Sequence, residues 1–240
     1  MTEEFIKKTK QIELLKNRLI NSNLLPKEII DSAEVLYNPN PYHNFLHALC
    51  VTNYVLNLDK NKFSPIEIRS LLIAWLFHDT WHTGKAMELD EFVSLDNFRK
   101  VMDSYPEYLI DDSICRNAII WTVFKNRAKQ TNKYAKILWD CDIWNIGAGI
   151  EEFMYYWTLL SLEYDVTIEE YFTKTEKNYF LYLMKINKKI IITDEVREIL
   201  PHSLQTIKDF YNISLEKKLE IFDTLRNEDI TLDEFKDKFF

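Results

Sequence analysis

Ser64-Pro65-Ile66-Glu67, the apolar run to Phe77, and then His78-Asp79-Thr80-Trp81-His82 form the stretch that decides the fold. Ser64 suits a helix cap, Pro65 suits the first turn, and Glu67 completes a capping box. Leu71, Leu72, Ile73, Ala74, Trp75, Leu76 and Phe77 then follow without a polar residue. A helix with no polar face must be covered on every side, so this one predicts the centre of a helical protein. It ends on a histidine and an aspartate. A carboxylate at the end of so apolar a helix costs on the order of several kcal/mol unless it is paired or bound to a metal.

The flanking chain has the same helical character. Phe5, Ile6, Ile12, Leu15, Leu19 and Ile20 recur at helical spacing, Leu24-Leu25-Pro26 interrupts them, and 29–37 reads as a second helix. Asn38-Pro39-Asn40-Pro41 is a strong breaker, after which a helix is predicted from about Tyr42 to Leu58. Further helices are predicted at 91–103, 112–125, 133–146, 150–162, 167–185, 194–211 and 214–226, and Thr231-Leu232-Asp233-Glu234 opens a last one. Three glycines and six prolines leave too few tight turns for a sheet-rich fold of 240 residues. The expectation is one all-α domain over 1–240, a compact multi-helix bundle. Its metal-site core lies at about 29–165 and a helical C-terminal part at 166–240.

Composition excludes several classes. Gly84, Gly147 and Gly149 build no Gly-rich phosphate loop. A net charge of −8 argues against an extended nucleic-acid surface, although a small anionic substrate held by a metal remains compatible with it. The apolar run 71–77 is far too short for a membrane span, and Met1 to Lys10 lacks the apolar core of a signal peptide. Cys50, Cys115 and Cys141 have no framework spacing, which predicts buried thiols in a reducing, cytoplasmic setting.

Four of the five histidines lie in Tyr42-His43-Asn44-Phe45-Leu46-His47 and Leu76-Phe77-His78-Asp79-Thr80-Trp81-His82. On the predicted helix His43 and His47 share one face. Asp140-Cys141-Asp142, after Ile137-Leu138-Trp139, again puts carboxylates at the end of an apolar stretch. Two imidazoles and two carboxylates suit a borderline or hard divalent ion with open positions for water. Were the central helix to continue, His82 would lie near His78 and offer a ligand to a second ion bridged by Asp79.

His47, then His78-Asp79, then Asp142 resembles the H…HD…D signature of the HD superfamily of metal-dependent phosphohydrolases. Tyr42 to Ala48 is similar to the Y-H-N-x-x-H-A signature of class I cyclic-nucleotide phosphodiesterases, and His78 to Gly84 to their H-D-x-x-H-x-G. Leu138 to Gly147 looks more like the D-A-D-L-x-x-L-G element of small bacterial HD phosphohydrolases. Their Y…E-Y and N-E-x-x-S elements resemble Tyr155 to Tyr164 and Asp90-Glu91-Phe92-Val93-Ser94. The resemblance implies hydrolysis of a phosphoester in a small phosphorylated substrate, a nucleotide or cyclic nucleotide. It assigns His47, His78, Asp79 and Asp142 to a divalent ion (Mn, Mg, Zn, Co, Ni or Fe). Asp79 counts as catalytic as well as a ligand, His43 protonates the leaving oxygen, and His82 belongs to the region of a second ion. Asp140 would orient ligands or water.

Other residues read more plainly. Lys125, Arg127, Lys129, Lys133 and Lys136 form a basic run, ordinarily a solvated loop, from which Lys125 or Arg127 would reach a substrate phosphate in the functional reading. Asp90 and Glu91 read as a solvated helix start, His202 as a surface residue, and Tyr155, Tyr156 and Trp157 as core. Two alternatives stand beside the hydrolase. One is an HD-fold di-iron oxygenase, which shares the H-D-x-x-H pattern. The other is a non-catalytic nucleotide- or metal-binding module, since no histidine follows Ile119-Ile120-Trp121-Thr122.

Overall fold

The structure, a computed structural model, describes residues 3–84, 89–122, 131–164, 167, 169, 191–228 and 230–240. Among them every regular element is a helix: α1 (Glu3–Asn21), α2 (Lys27–Glu34), α3 (Phe45–Val55), α4 (Pro65–Phe77), α5 (Asp90–Met102), α6 (Asp112–Trp121), α7 (Lys133–Asp142), α8 (Asn145–Ala148), α9 (Ile150–Glu163), α10 (Asp194–Ile199), α11 (Ser203–Asn212), α12 (Leu215–Asn227) and α13 (Leu232–Phe239).

The central helix α4 forms as its sequence predicts. Ser64 Oγ accepts from Glu67 N–H, and the Glu67 carboxylate accepts from Ser64 N–H at 2.6 Å. Every residue from Ser70 to Phe77 is buried, because α2, α3, α5, α6 and α7 all pack around it. Ser70 contributes a tie: its hydroxyl accepts from Asp111 N–H at 2.8 Å, joining α4 to the cap of α6. A second group, α8, α9, α11, α12 and α13, packs around α9, where Phe153, Trp157 and Phe210 meet ring to ring and Tyr155 meets Phe235. One hydrophobic core runs through both groups, from Leu19 to Phe235. Among the described residues no helix is long and apolar enough to cross a membrane.

Several boundaries differ from the expectation, and three of them shape the fold around the site and the second helix group. Helix α3 begins at Phe45 rather than Tyr42, because Asn44 is its cap: the Asn44 side chain accepts from His47 N–H and donates to the carbonyls of Asn40 and Pro41. His43 therefore lies outside the helix. The stretch 133–146 stops at Asp142 and restarts as α8, which ends at Gly149 with φ 122°. The stretch 194–211 divides into α10 and α11 across Leu200-Pro201-His202, where proline cannot supply the helical N–H. The helix expected at 167–185 falls outside the described residues except at 167 and 169.

Candidate metal centre

Three helices deliver one cluster. His47 sits in the first turn of α3, His78 caps the C-terminal end of α4 with Asp79 beside it, and Asp142 is the last residue of α7. These helices pack against one another pairwise. His78 Nε2 lies 2.8 Å from Asp79 Oδ2 and 3.7 Å from Asp142 Oδ1, while His47 Nε2 lies 3.2 Å from Asp142 Oδ1 and 3.8 Å from Asp79 Oδ2. One ligand atom from each of the four falls within 4.8 Å of all the others, an arrangement able to hold a metal ion. The histidine side chains are 1–2% exposed and that of Asp142 is 26% exposed, so the cluster opens to solvent on the Asp142 side.

The donor chemistry fits a cation. His78 Nδ1–H donates to Trp75 O at 2.8 Å, which fixes the tautomer and turns Nε2 toward the two carboxylates. That buried Nε2 has no aligned hydrogen-bond partner despite its short approach to Asp79. Burial alone would raise the Asp79 and Asp142 carboxyls, but the adjacent His78 acts most strongly on Asp79, and His47 with His78 on Asp142. Both carboxyls stay below the ordinary carboxylate range. Burial pulls His78 down, yet Asp79 and Asp142 overcome it and push the imidazole up to about 10. Burial wins at His47, which is lowered. Two anions facing two imidazoles thus demand positive charge, and a divalent ion satisfies the demand with all four side chains in their ligating forms.

A second cluster stands beside the first. The His43 and His82 rings stack with centroids 3.6 Å apart and planes 20° apart. Glu163, the last residue of α9, faces both: Oε1 accepts from His43 Nδ1–H at 2.7 Å and lies 3.5 Å from His82 Nδ1. Its Oε2 accepts from the backbone N–H groups of Tyr42 and His43, at 2.6 and 2.8 Å. Burial would raise this carboxyl, but the bonds from His43 and His82 outweigh it and hold it below the ordinary range. The loop bearing His82 is fixed elsewhere too. Asn38 and Asn40 donate to His82 O at 3.1 and 2.8 Å, Thr83 donates through N–H and Oγ1 to Asp90, and Trp81 N–H donates to Ser94 Oγ. Gly84 turns there with φ 75°, a conformation that favours glycine.

Several expectations need correcting. The central helix ends at Phe77, so His82 does not continue it; His82 joins His43 and Glu163 instead. Asp140 bonds to the chain after 190: it accepts from Ile192 N–H, Thr193 N–H at 2.7 Å and Thr193 Oγ1 at 2.8 Å. Asp90 is buried in its bonds to Thr83, and Glu91 is not a solvated helix start. Burial, with Asp79 and Asp90 nearby, pushes the Glu91 carboxyl up to about 7, and its Oε2 has no hydrogen-bond partner. Lys125, Arg127 and Lys129 fall outside the described residues. Lys133 packs over the Phe63 ring and lies 3.6 Å from Glu195. His202 is exposed, the three cysteines are buried, and Tyr155, Tyr156 and Trp157 are buried as expected. Sequence reasoning missed Glu163. Its one signal was the Glu163-Tyr164 pair in the loosely matching Y…E-Y element.

Comparison with known proteins agrees with this geometry. The sequence model of the 3′5′-cyclic nucleotide phosphodiesterase family matches residues 42–88, the span that carries His43, His47, His78, Asp79 and His82. Among solved structures, the phosphodiesterase domain of the RhoPDE fusion protein from the choanoflagellate Salpingoeca rosetta is similar at 14% identity and a TM-score of 0.51. That match covers 95% of this chain and 94% of that one. LmjPDEB1, solved in complex with IBMX, is similar at 12% identity and a TM-score of 0.54, over 95% of this chain and 87% of that one. Comparison with curated protein sequences gives no match. The fold is thus that of phosphodiesterase domains. Over residues 42–88 the chain also carries the motifs of the class I cyclic-nucleotide enzymes.

Proposed function

We propose that this chain is a metal-dependent phosphodiesterase that hydrolyses a nucleotide phosphoester, with cyclic nucleotides as the leading substrate class. The convergence of His47, His78, Asp79 and Asp142 beside a carboxylate-held histidine carries this reading. These four residues would hold a divalent ion, which supplies Lewis acidity and lowers the pKa of water to near 7. Asp142 is the most solvent-exposed member of the four, so a substrate phosphate would approach the ion from its side. His43 stands next to the cluster, its ring centroid 5.8 Å from that of His47. Because Nδ1–H is committed to Glu163, Nε2 is the nitrogen available to deliver a proton to the leaving oxygen. Glu163 orients that ring by holding the backbone of Tyr42 and His43 as well as the His43 side chain. The phosphodiesterase likeness of 42–88 supports the cyclic substrate, as does the similarity to a domain solved with IBMX.

The test is a hydrolysis screen of cyclic and linear nucleotides with Mn²⁺, Mg²⁺, Co²⁺ and Ni²⁺. Turnover of a cyclic nucleotide, lost in Asp142→Asn, is expected. No hydrolysis of any nucleotide by the metal-loaded wild type would overturn the proposal.

A further inference from the structure

We infer that His82 is a positioning residue for the proton donor: its imidazole is a fixed plate against which the His43 ring lies, and this stack, together with Glu163, sets where His43 Nε2 points. The two rings lie face to face, with centroids 3.6 Å apart and planes 20° apart. That separation is van der Waals contact, so the faces touch. The rings come from different segments, the turn before α3 and the loop after α4, so the tertiary fold makes the stack. One bond at Nδ1 is too little to hold the donor ring. The χ2 torsion of a histidine is broad, and a hydrogen bond to one ring nitrogen tolerates rocking of the ring around it. The 2.7 Å bond to Glu163 fixes one edge of His43, and a parallel ring in contact blocks the out-of-plane swing that this bond allows.

The plate is itself held in place. Its backbone carbonyl accepts from the Asn38 and Asn40 side chains, and its Nδ1 accepts from Gly84 N–H at 3.1 Å. The Gly84 bond fixes the plane of the His82 ring and its tautomer, with the proton on Nε2. The side chain is 10% exposed, so the ring has little room to turn. Tyr42 closes another side of His43, meeting it at 4.8 Å with planes 87° apart. His82 is not among the four residues of the His47 cluster, and its Nδ1 is committed to the loop. Its contribution to the reaction therefore passes through the His43 ring.

The catalytic consequence rests on the phosphodiesterase reading, while the positioning does not, and two variants separate the ring face from the ring nitrogen. His82→Phe keeps a flat face and loses the acceptor for Gly84 N–H, whereas His82→Asn keeps an acceptor and loses the face. In the full chain, the His43 Nδ1–H proton is followed by NMR, its signal assigned by its loss in His43→Asn. Its exchange with water should be about tenfold or more faster in His82→Asn than in His82→Phe, because only the face keeps the ring on Glu163. Equal exchange in the two variants, or faster exchange in His82→Phe, overturns the positioning role. With cyclic AMP or cyclic GMP as substrate, kcat should fall about tenfold or more in His82→Asn and recover in His82→Phe, while KM moves only a few-fold. An unchanged kcat in His82→Asn, or an equal loss in His82→Phe, overturns the catalytic consequence. If wild type turns over no nucleotide, the phosphodiesterase reading fails, and the exchange rates still decide whether His82 positions His43.

Discussion

One carboxylate gathers the histidine turn from the far side of the chain. Glu163 accepts from Tyr42 N–H, His43 N–H and His43 Nδ1–H across 120 or 121 residues of sequence. Glu163→Gln keeps an oxygen for the backbone donors but removes the charge opposite the ring. We expect kcat to fall by about 10–100-fold, the range for a residue that orients a functional histidine. KM should stay within a few-fold, and the limb of the pH–rate profile that reports the proton donor should shift. Steady-state kinetics over a pH series checks this, and an unmoved profile would reduce Glu163 to scaffolding. The grouping of His47, His78, Asp79 and Asp142 was legible in the sequence because each sits inside a short motif at the end of an apolar or helical stretch. Glu163 was not, because its role is created only when α9 docks beneath the turn before α3. Glu91 was misread for a similar reason. A helix start is solvated on its own, but this one is tied to the loop after α4, through Thr83 on Asp90 and Trp81 N–H on Ser94.

At the scale of elements, local chemistry was readable where partners are three residues apart. Both expected capping boxes, Ser64 with Glu67 and Thr231 with Glu234, are formed with reciprocal bonds. The start of α3 was equally local but overlooked, since Asn44 caps the helix at His47 N–H and ties back to Asn40 and Pro41, all within four residues. The break at Pro201 was likewise written in the sequence and simply outweighed by the apolar periodicity on either side. Gly147 shows how close these short elements pack. A Cβ built there would lie 2.5 Å from Leu200 Cβ, so the α8 backbone rests directly on the residue that ends α10. Gly147→Ala must push the two apart, and we expect a loss of about 1–3 kcal/mol in denaturant unfolding. No loss would mean that the contact yields freely.

For the whole molecule, the candidate metal ties together α3, α4 and α7, which meet at their ends. An ion that binds only the folded chain adds about 2.7 kcal/mol at one hundred times its dissociation constant. For a chain of 240 residues that corresponds to roughly 5–10 °C in Tm. Chelation should therefore lower Tm by that amount, and restoring Mn²⁺ or Zn²⁺ should recover it. The core shared by both helix groups leads us to expect one cooperative transition throughout. An unchanged Tm in calorimetry would show that no folded-state metal is present. A different consequence follows from Asp140. This fully buried carboxylate, two residues before Asp142, receives three donors from Ile192 and Thr193. A fragment cut after Tyr164 would keep every motif histidine and aspartate, yet strand this anion at the end of α7. The shortest piece that still reads as an enzyme is therefore not the shortest piece that can work as one.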